Sequence, residues 1–189
     1  AHHGVLFLDE FPEYAREIIE MFRIPLENHA ISVIRQERTI IFPADFLFII
    51  AANACPCGYY PMDKCRCTSR QILRYQNRIS GPILDRMDLF VRCEEIGYDV
   101  LTASSKEESS SSIQKRVSAA WVIQKERFVE SSTIFNGRMT KSEVEQYCQL
   151  DAEGQRLMKK AYSAFSLTGR SYFKILKTAR TIADLEQSP

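Results

Sequence analysis

Six residues near the start of the chain constrain its fold more than any other stretch: Val5-Leu6-Phe7-Leu8-Asp9-Glu10. Four consecutive apolar side chains leave no polar face. The run therefore predicts a strand buried on both sides, as in a parallel sheet. Two carboxylates follow at the strand's C-terminal end, where open α/β sheets place their ligand crevice. Two readings fit. In one, the layout is a Walker B motif: Asp9 holds Mg²⁺, directly or through water, and Glu10 orients and deprotonates the water that attacks a γ-phosphate. In the other, a buried strand ends in a solvated acidic turn.

The following stretches bear on that choice. Pro12 suits the first turn of a helix, and Ile18, Ile19, Phe22 and Ile24 predict an amphipathic helix over about 12–22, ended by Pro25. Ala30–Ile34 and Thr39–Phe42 are β-rich runs flanking Arg35-Gln36-Glu37-Arg38, a hairpin with a charged tip. Phe46–Ala52 predicts a second buried strand, ending at the polar Asn53 as the first ends at Asp9. Thr68 or Ser69 caps a helix to about Ile79, Gly81 opens a short segment, and Leu89–Val91 predicts a third strand. Strands alternating with helices imply an α/β sheet.

Over 102–112 the composition changes to six serines and three charged residues, which predicts a solvated linker. Everything beyond it predicts helix. Ile113–Phe128 presents Val117, Ala120, Trp121 and Phe128 as an apolar face. Thr140 with Glu143 forms a capping box. Asp151 caps a third helix with Leu157, Met158, Ala161, Tyr162 and Phe165 inward, and Thr168 starts a fourth with Tyr172, Ile175, Leu176, Ala179, Ile182 and Ala183 on one side. The sum is a bundle of about four helices, with a boundary near 97–106 that divides the chain into 1–97 and 98–189.

Several side chains carry chemistry. Cys55, Cys57, Cys65 and Cys67 form two Cys-x-Cys pairs seven residues apart, and Gly58 and Pro61 help turn the loop between them. Four thiolates suit tetrahedral Zn²⁺ in a structural role, since they leave no open coordination position; free thiols and a redox pair are the other readings. Cys93 and Cys148 are expected as packing residues. Asn53 contacts the attacking water or the γ-phosphate, or else is a turn asparagine. Arg86 serves a neighbour's nucleotide, or else pairs locally with Asp85 or Asp88. Arg170, at the start of the last helix, reaches a phosphate or is simply solvated. Residues 63–92 hold seven Lys/Arg against three Asp, with Arg70, Arg74 and Arg78 on one helical stripe. That stripe, with Arg35 and Arg38 at the hairpin tip, binds backbone phosphates of DNA or is a solvated face.

With a net charge of +1, global charge argues neither for nor against nucleic acid. No apolar run approaches the ~20 residues needed to span a bilayer, so no membrane is expected. Six cysteines without a signal peptide point to the reducing cytoplasm. No Gly-x-x-x-x-Gly-Lys-Ser/Thr occurs, and Ala1-His2-His3-Gly4 leads straight into a core strand. The chain is therefore expected to be a fragment, nearly inactive alone because nothing in it cradles phosphates.

Taken together, Ala-His-His-Gly-Val-Leu-Phe-Leu-Asp-Glu-Phe-Pro-Glu, Arg-Ile-Pro-Leu-Glu-Asn, Phe-Pro-Ala-Asp-Phe, Ala-Ala-Asn-Ala-Cys-Pro-Cys-Gly-Tyr, Ile-Ser-Gly-Pro-Ile-Leu-Asp-Arg-Met-Asp-Leu and Ala-Arg-Thr-Ile-Ala-Asp-Leu strongly resemble the magnesium-chelatase-like AAA+ ATPases of bacteria. Within that family the resemblance is to the competence-protein branch, over nearly the whole chain. It implies the C-terminal half of a AAA+ P-loop ATPase domain, with parallel strands and a β-hairpin insert, followed by an all-α helical lid. It makes Asp9 and Glu10 the Walker B pair, Asn53 sensor 1, Arg86 the arginine finger and Arg170 the sensor 2 arginine toward the nucleotide. The hairpin over 30–42 would line a ring pore near DNA, and Cys55, Cys57, Cys65 and Cys67 match the family's cysteine cluster. The resemblance further implies ATP and Mg²⁺ as cofactors, a homo-oligomeric, hexameric ring, and branch migration or helicase activity in recombination and natural transformation. Ala54 departs from the family pattern, which has proline there, and so does the serine-rich linker. Two other functions stay open: the motor subunit of a magnesium chelatase, and a zinc-stabilised interaction module without catalysis.

Overall fold

The computed structural model describes residues 1–36, 38–93, 98 and 108–188. The chain divides into two compact units, 1–87 and 88–189.

The first unit runs β1 (Val5–Leu8), a 3₁₀ turn (Phe11–Glu13), α1 (Arg16–Met21), α2 (Arg23–Asn28), β2 (Ala30–Arg35), β3 (Arg38–Pro43), β4 (Leu47–Ile50), α3 (Ser69–Gln76) and α4 (Gly81–Leu84). β1 and β4 pair in parallel, in register from Val5 opposite Leu47 to Leu8 opposite Ile50. Phe11, Ile19 and Ile83 are fully buried, with Leu8, Phe22, Phe48, Ile50 and Ile79 packed on them. Phe48 meets Phe11 edge-on at 5.8 Å and stacks on Phe22 at 5.1 Å. The core thus lies under one face of the strand pair. On the other face Val5, Phe7 and Leu47 are 58%, 56% and 60% exposed. This corrects the expectation of strands buried on both sides: among the described residues the sheet has two strands and a cover on one face only.

Other boundaries shift for local reasons. The helix expected over 12–22 is divided, and Pro25 does not end it. Pro25 sits in the first turn of α2, where its missing N–H would have had no helical partner anyway. The hairpin forms, with β2 and β3 antiparallel and Arg35 directly opposite Arg38. Gln36 turns the chain in the left-handed region at φ 47°; Glu37 lies outside the described residues. α3 begins at the expected Thr68 cap but stops at Gln76, short of Ile79. Leu89–Val91 form no strand and are exposed, and among the described residues no strand pairs with them.

The second unit holds α5 (Ser110–Arg127), a 3₁₀ turn (Asn136–Arg138), α6 (Lys141–Tyr147), α7 (Ala152–Ala164) and α8 (Gly169–Leu185). Most of the expected serine linker lies outside the described residues. Its end is helical, because Ser109 Oγ accepts the N–H of Ser112 and starts α5 three residues before Ile113. Thr140, Asp151 and Thr168 cap the following helices as expected. Phe128, Met139, Val144 and Leu176 form the apolar core, with Met158, Tyr147, Tyr172 and Phe173 around it. Leu157 and Phe165 are exposed, not inward as expected, so α7 offers a narrower apolar stripe than its composition suggests.

A polar network fills the rest of this core. Asp184 is fully buried and accepts two hydrogen bonds of 2.6 Å from Arg127, one of 2.7 Å from Asn136 Nδ2 and one of 3.0 Å from Arg180 Nε. The buried Gln124 accepts the Asn136 N–H at 2.9 Å. Burial by itself would raise the Asp184 carboxyl. The hydrogen bonds from Arg127 and Asn136, with the charges of Arg127 and Arg180, outweigh it and hold the carboxyl below its ordinary 3.8.

Breaking a buried pair by removing one partner leaves an uncompensated group, at a cost of about 3 kcal/mol. Asp184→Asn is expected to destabilise the second unit by about that amount, measured as a lower urea midpoint in the fluorescence of the chain's single tryptophan, Trp121. Because the folded-state value is depressed, the wild-type contribution is complete above the ordinary aspartate range and fades only as pH falls below it. The Asn variant should lose that part of the acid dependence.

Candidate nucleotide site and cysteine cluster

The site begins where β1 and β4 end. The Ala51 N–H donates to the Leu8 carbonyl at 2.9 Å, and the Phe11 N–H donates to the Ala51 carbonyl at 3.0 Å. Asp9 and Glu10 are thereby looped out beside Ala51, two residues from Asn53. All three side chains are exposed at this edge of the unit. Glu10 adopts φ 49°, ψ 38°, the left-handed region that a residue with a Cβ enters at a cost of order 1 kcal/mol. Its N–H donates to Asp9 Oδ1 at 2.8 Å. Phe11, buried directly after the acids, holds the turn in place. The structure thus brings Asp9, Glu10 and Asn53 to one strand edge, as the similar endings of the two apolar runs suggested.

The cysteine loop hangs from the same edge. Cys55 is buried. Cys67 directly precedes Thr68, whose hydroxyl accepts the Gln71 N–H at 3.3 Å while Gln71 Oε1 accepts the Thr68 N–H at 2.8 Å. The sulfurs of Cys55 and Cys57 are 3.4 Å apart, those of Cys57 and Cys65 3.6 Å, and those of Cys55 and Cys65 3.8 Å. All four thiols lie within 4.8 Å of one another. Thiolates ~2.3 Å from a common tetrahedral zinc ion form edges of ~3.8 Å, so the quartet has the dimensions of a tetrathiolate metal centre. Among the described residues it is the one group of three or more His, Cys, Asp or Glu side chains close enough to share a metal ion.

The electrostatics agree with that donor set. Backbone N–H groups of Tyr59 and Arg66 lower Cys57 to about 6. Burial opposes ionisation of Cys55, but hydrogen bonds headed by that from the Tyr60 N–H outweigh it and lower its thiol. Cys67, hydrogen-bonded to Cys57, is pushed up to about 12. A backbone hydrogen bond favours the Cys65 thiolate, yet burial and the neighbouring sulfurs raise it. Without a cation, a thiolate at one position suppresses ionisation at the next. A bound divalent cation removes that conflict and deprotonates all four.

Arg86 follows α4 with its side chain 11% exposed. Nη1 donates to the Pro82 carbonyl at 2.6 Å and Nη2 to Glu27 on α2, while Nε is buried without a partner. The ion pair therefore joins two elements far apart in sequence, and no local spacing could have announced Glu27. Arg70 and Arg74 are exposed on α3. Arg78 lies beyond the helix and pairs with Glu13 at 2.6 Å, which shortens the expected basic stripe to two residues. Arg35 and Arg38 stand side by side at the hairpin tip, both exposed. Arg170 occupies the first turn of α8 in the second unit. The Asp184 cluster was also missed. Only its Arg180–Asp184 pair, four residues apart, is visible in sequence.

No described helix is long and apolar enough to cross a membrane. Residues 1–101 match the family model described as magnesium chelatase, subunit ChlI, and residues 107–189 match the model of its C-terminal part. The chain is 40% identical to protein YifB of Salmonella typhimurium over 98% of its length, and 38% identical to YifB of Escherichia coli over its whole length. It is 37% identical to competence protein ComM of Haemophilus influenzae over 98% of its length. It covers only 36–37% of those relatives, a little over a third of each. The first match alone takes in more than half of the chain and the second nearly all the rest, and on those grounds this protein belongs to the magnesium chelatase subunit ChlI family.

Proposed function

We propose that this chain is the part of an ATP-hydrolysing AAA+ motor that follows the phosphate-binding loop, and that the full-length motor works on DNA. The observation that carries the reading is the parallel β1–β4 pair, which sets two carboxylates at one strand end and an amide at the next. In this reading Asp9 holds Mg²⁺, Glu10 takes the proton of the attacking water, and Asn53 orients that water or the γ-phosphate. Arg86 exchanges its Glu27 partner for a phosphate bound by the neighbouring subunit of a ring, a hexamer by family resemblance. Arg170 approaches the nucleotide from the lid. Arg35 and Arg38, with Arg70 and Arg74 as a second basic surface, contact the DNA backbone. The cysteine quartet holds a structural zinc ion. The competence relative supports a role in recombination during natural transformation, with branch migration or unwinding as the work done. The chain alone, which lacks a phosphate-binding loop, is nearly inactive.

The family description favours a second reading, a motor that drives Mg²⁺ insertion into a porphyrin. ATP turnover by the full-length protein decides between them: stimulation by DNA supports the first reading, and stimulation only by a porphyrin-binding partner supports the second. In the full-length protein Glu10→Gln is expected to lower kcat by roughly 10²–10⁴ with little change in nucleotide affinity. Intact turnover in that variant would remove Glu10 from the chemistry. Arg86→Ala is expected to cost on the order of 10³ in kcat. Mixing inactive Arg86→Ala and Glu10→Gln subunits should restore part of the activity, because some interfaces then combine a wild-type finger with a wild-type acid pair.

The zinc assignment has its own test. The reduced chain purified without chelator is expected to carry about one Zn²⁺. Co²⁺ in its place should show the intense d–d bands of a tetrahedral thiolate centre. Zinc well below one equivalent would refute it.

A further inference from the structure

We infer that the cysteine-bound metal positions Asn53, so that hydrolysis depends on the metal although no substrate touches it. The inference rests on the motor and zinc readings above and assigns the metal centre a task within them.

Three observations carry it. Asn53 and Cys55 are two residues apart on the segment leaving β4, so fixing the Cys55 sulfur fixes the backbone on which Asn53 stands. The loop then folds back: Gly58 adopts φ 80°, and a Cβ placed there would lie 3.9 Å from Asn53 Oδ1. The stretch between Cys57 and Cys65 thus starts against the Asn53 side chain. Finally, Gln76 Nε2 donates to the Ala54 carbonyl at 3.1 Å, and Cys67 adjoins the Thr68 cap at the other end of the same helix. Four thiolates around one ion therefore close a ring: strand end, loop, helix cap, helix, and back to residue 54.

Apart from the Gln76 bond, the protein ties within this loop are short-range turns, in which the N–H groups of Gly58, Met62 and Cys65 donate to the carbonyls of Cys55, Tyr59 and Met62 at 2.7–3.0 Å. The loop contains no helix or strand from 51 to 68, and most of its side chains are exposed. Such a segment opens locally at small cost. A displacement of ~1 Å in a group that orients a nucleophile can cost about 10²-fold in rate. A side chain held between a strand end and a metal-closed loop avoids that loss.

The test uses the full-length protein with four variants: Asn53→Ala, Cys65→Ser, Cys65→His and the double variant Asn53→Ala/Cys65→Ser. His is itself a zinc ligand and keeps the centre closed. The readouts are zinc content, kcat and KM for ATP, and amide hydrogen exchange over 51–58. Cys65→Ser is expected to lose the zinc, to raise exchange over 51–58, and to lower kcat by roughly 10²-fold with KM for ATP within about twofold. The double variant should be no slower than Asn53→Ala, since both changes remove the same contribution. Cys65→His should retain the metal and most of the turnover. Should Cys65→Ser fail to fold, stripping zinc from the wild type with a mercurial and restoring it gives the same comparison reversibly. Zinc loss with unchanged kcat, a double variant slowed by the product of the single effects, or unchanged exchange around Asn53 would each overturn the inference. A wild-type protein without ATP turnover would instead defeat the motor reading, and the exchange measurement would still decide whether the metal holds Asn53.

Discussion

The first unit depends on the pairing of two short strands that are adjacent in space but about forty residues apart in sequence. The β1–β4 register sets Leu8 opposite Ile50, and the Ala51 and Phe11 amides extend the ladder past both strand ends. A slip of one residue in β1 would turn Leu6 and Leu8 away from the core, and a slip in β4 would do the same to Phe48 and Ile50. Burial of Phe11, Ile19 and Ile83 opposes that slip. The same burial leaves Asp9, Glu10 and Asn53 at the solvent edge, because each follows its strand's last covered residue within three positions. Apolar packing beneath the strand ends therefore sets the positions of the polar groups above them.

Around this frame, polar ties, most of them between residues far apart in sequence, hold Arg86, Arg78 and the backbone at Ala54. Glu27 and the Pro82 carbonyl engage Arg86, Glu13 engages Arg78, and Gln76 reaches Ala54. The Arg86 guanidinium, 11% exposed, is held in a definite position by these partners. The four cysteine sulfurs come from a segment with no regular structure of its own and lie within 4.8 Å of one another, close enough to share a metal ion.

The helical unit solves a different problem. Its apolar core of Phe128, Met139, Val144 and Leu176 is small, and the space beside it is filled by Asp184 and its donors. Such a network is costly unless complete, and here Arg127, Asn136 and Arg180 all donate to one carboxylate. That completeness fixes the 3₁₀ turn at Asn136 between two long helices, where apolar contacts alone would specify the geometry less sharply.

Local chemistry explains why some of this was legible from sequence. An apolar run ending in acids, a hairpin with a charged tip, four helix caps and four closely spaced cysteines each act within a few residues, so the order of residues alone determined them. Which faces of β1 and α7 are covered, that Pro25 opens a helix and does not close one, and that Leu89–Val91 remain unpaired depended on what lies alongside. Those outcomes, with the partners of Arg86, Arg78 and Asp184, were decided only by the tertiary structure. Burial and ion pairing are properties of neighbours in space, and Glu27 with Arg86, like Arg127 with Asp184, are separated by more than fifty residues of intervening chain.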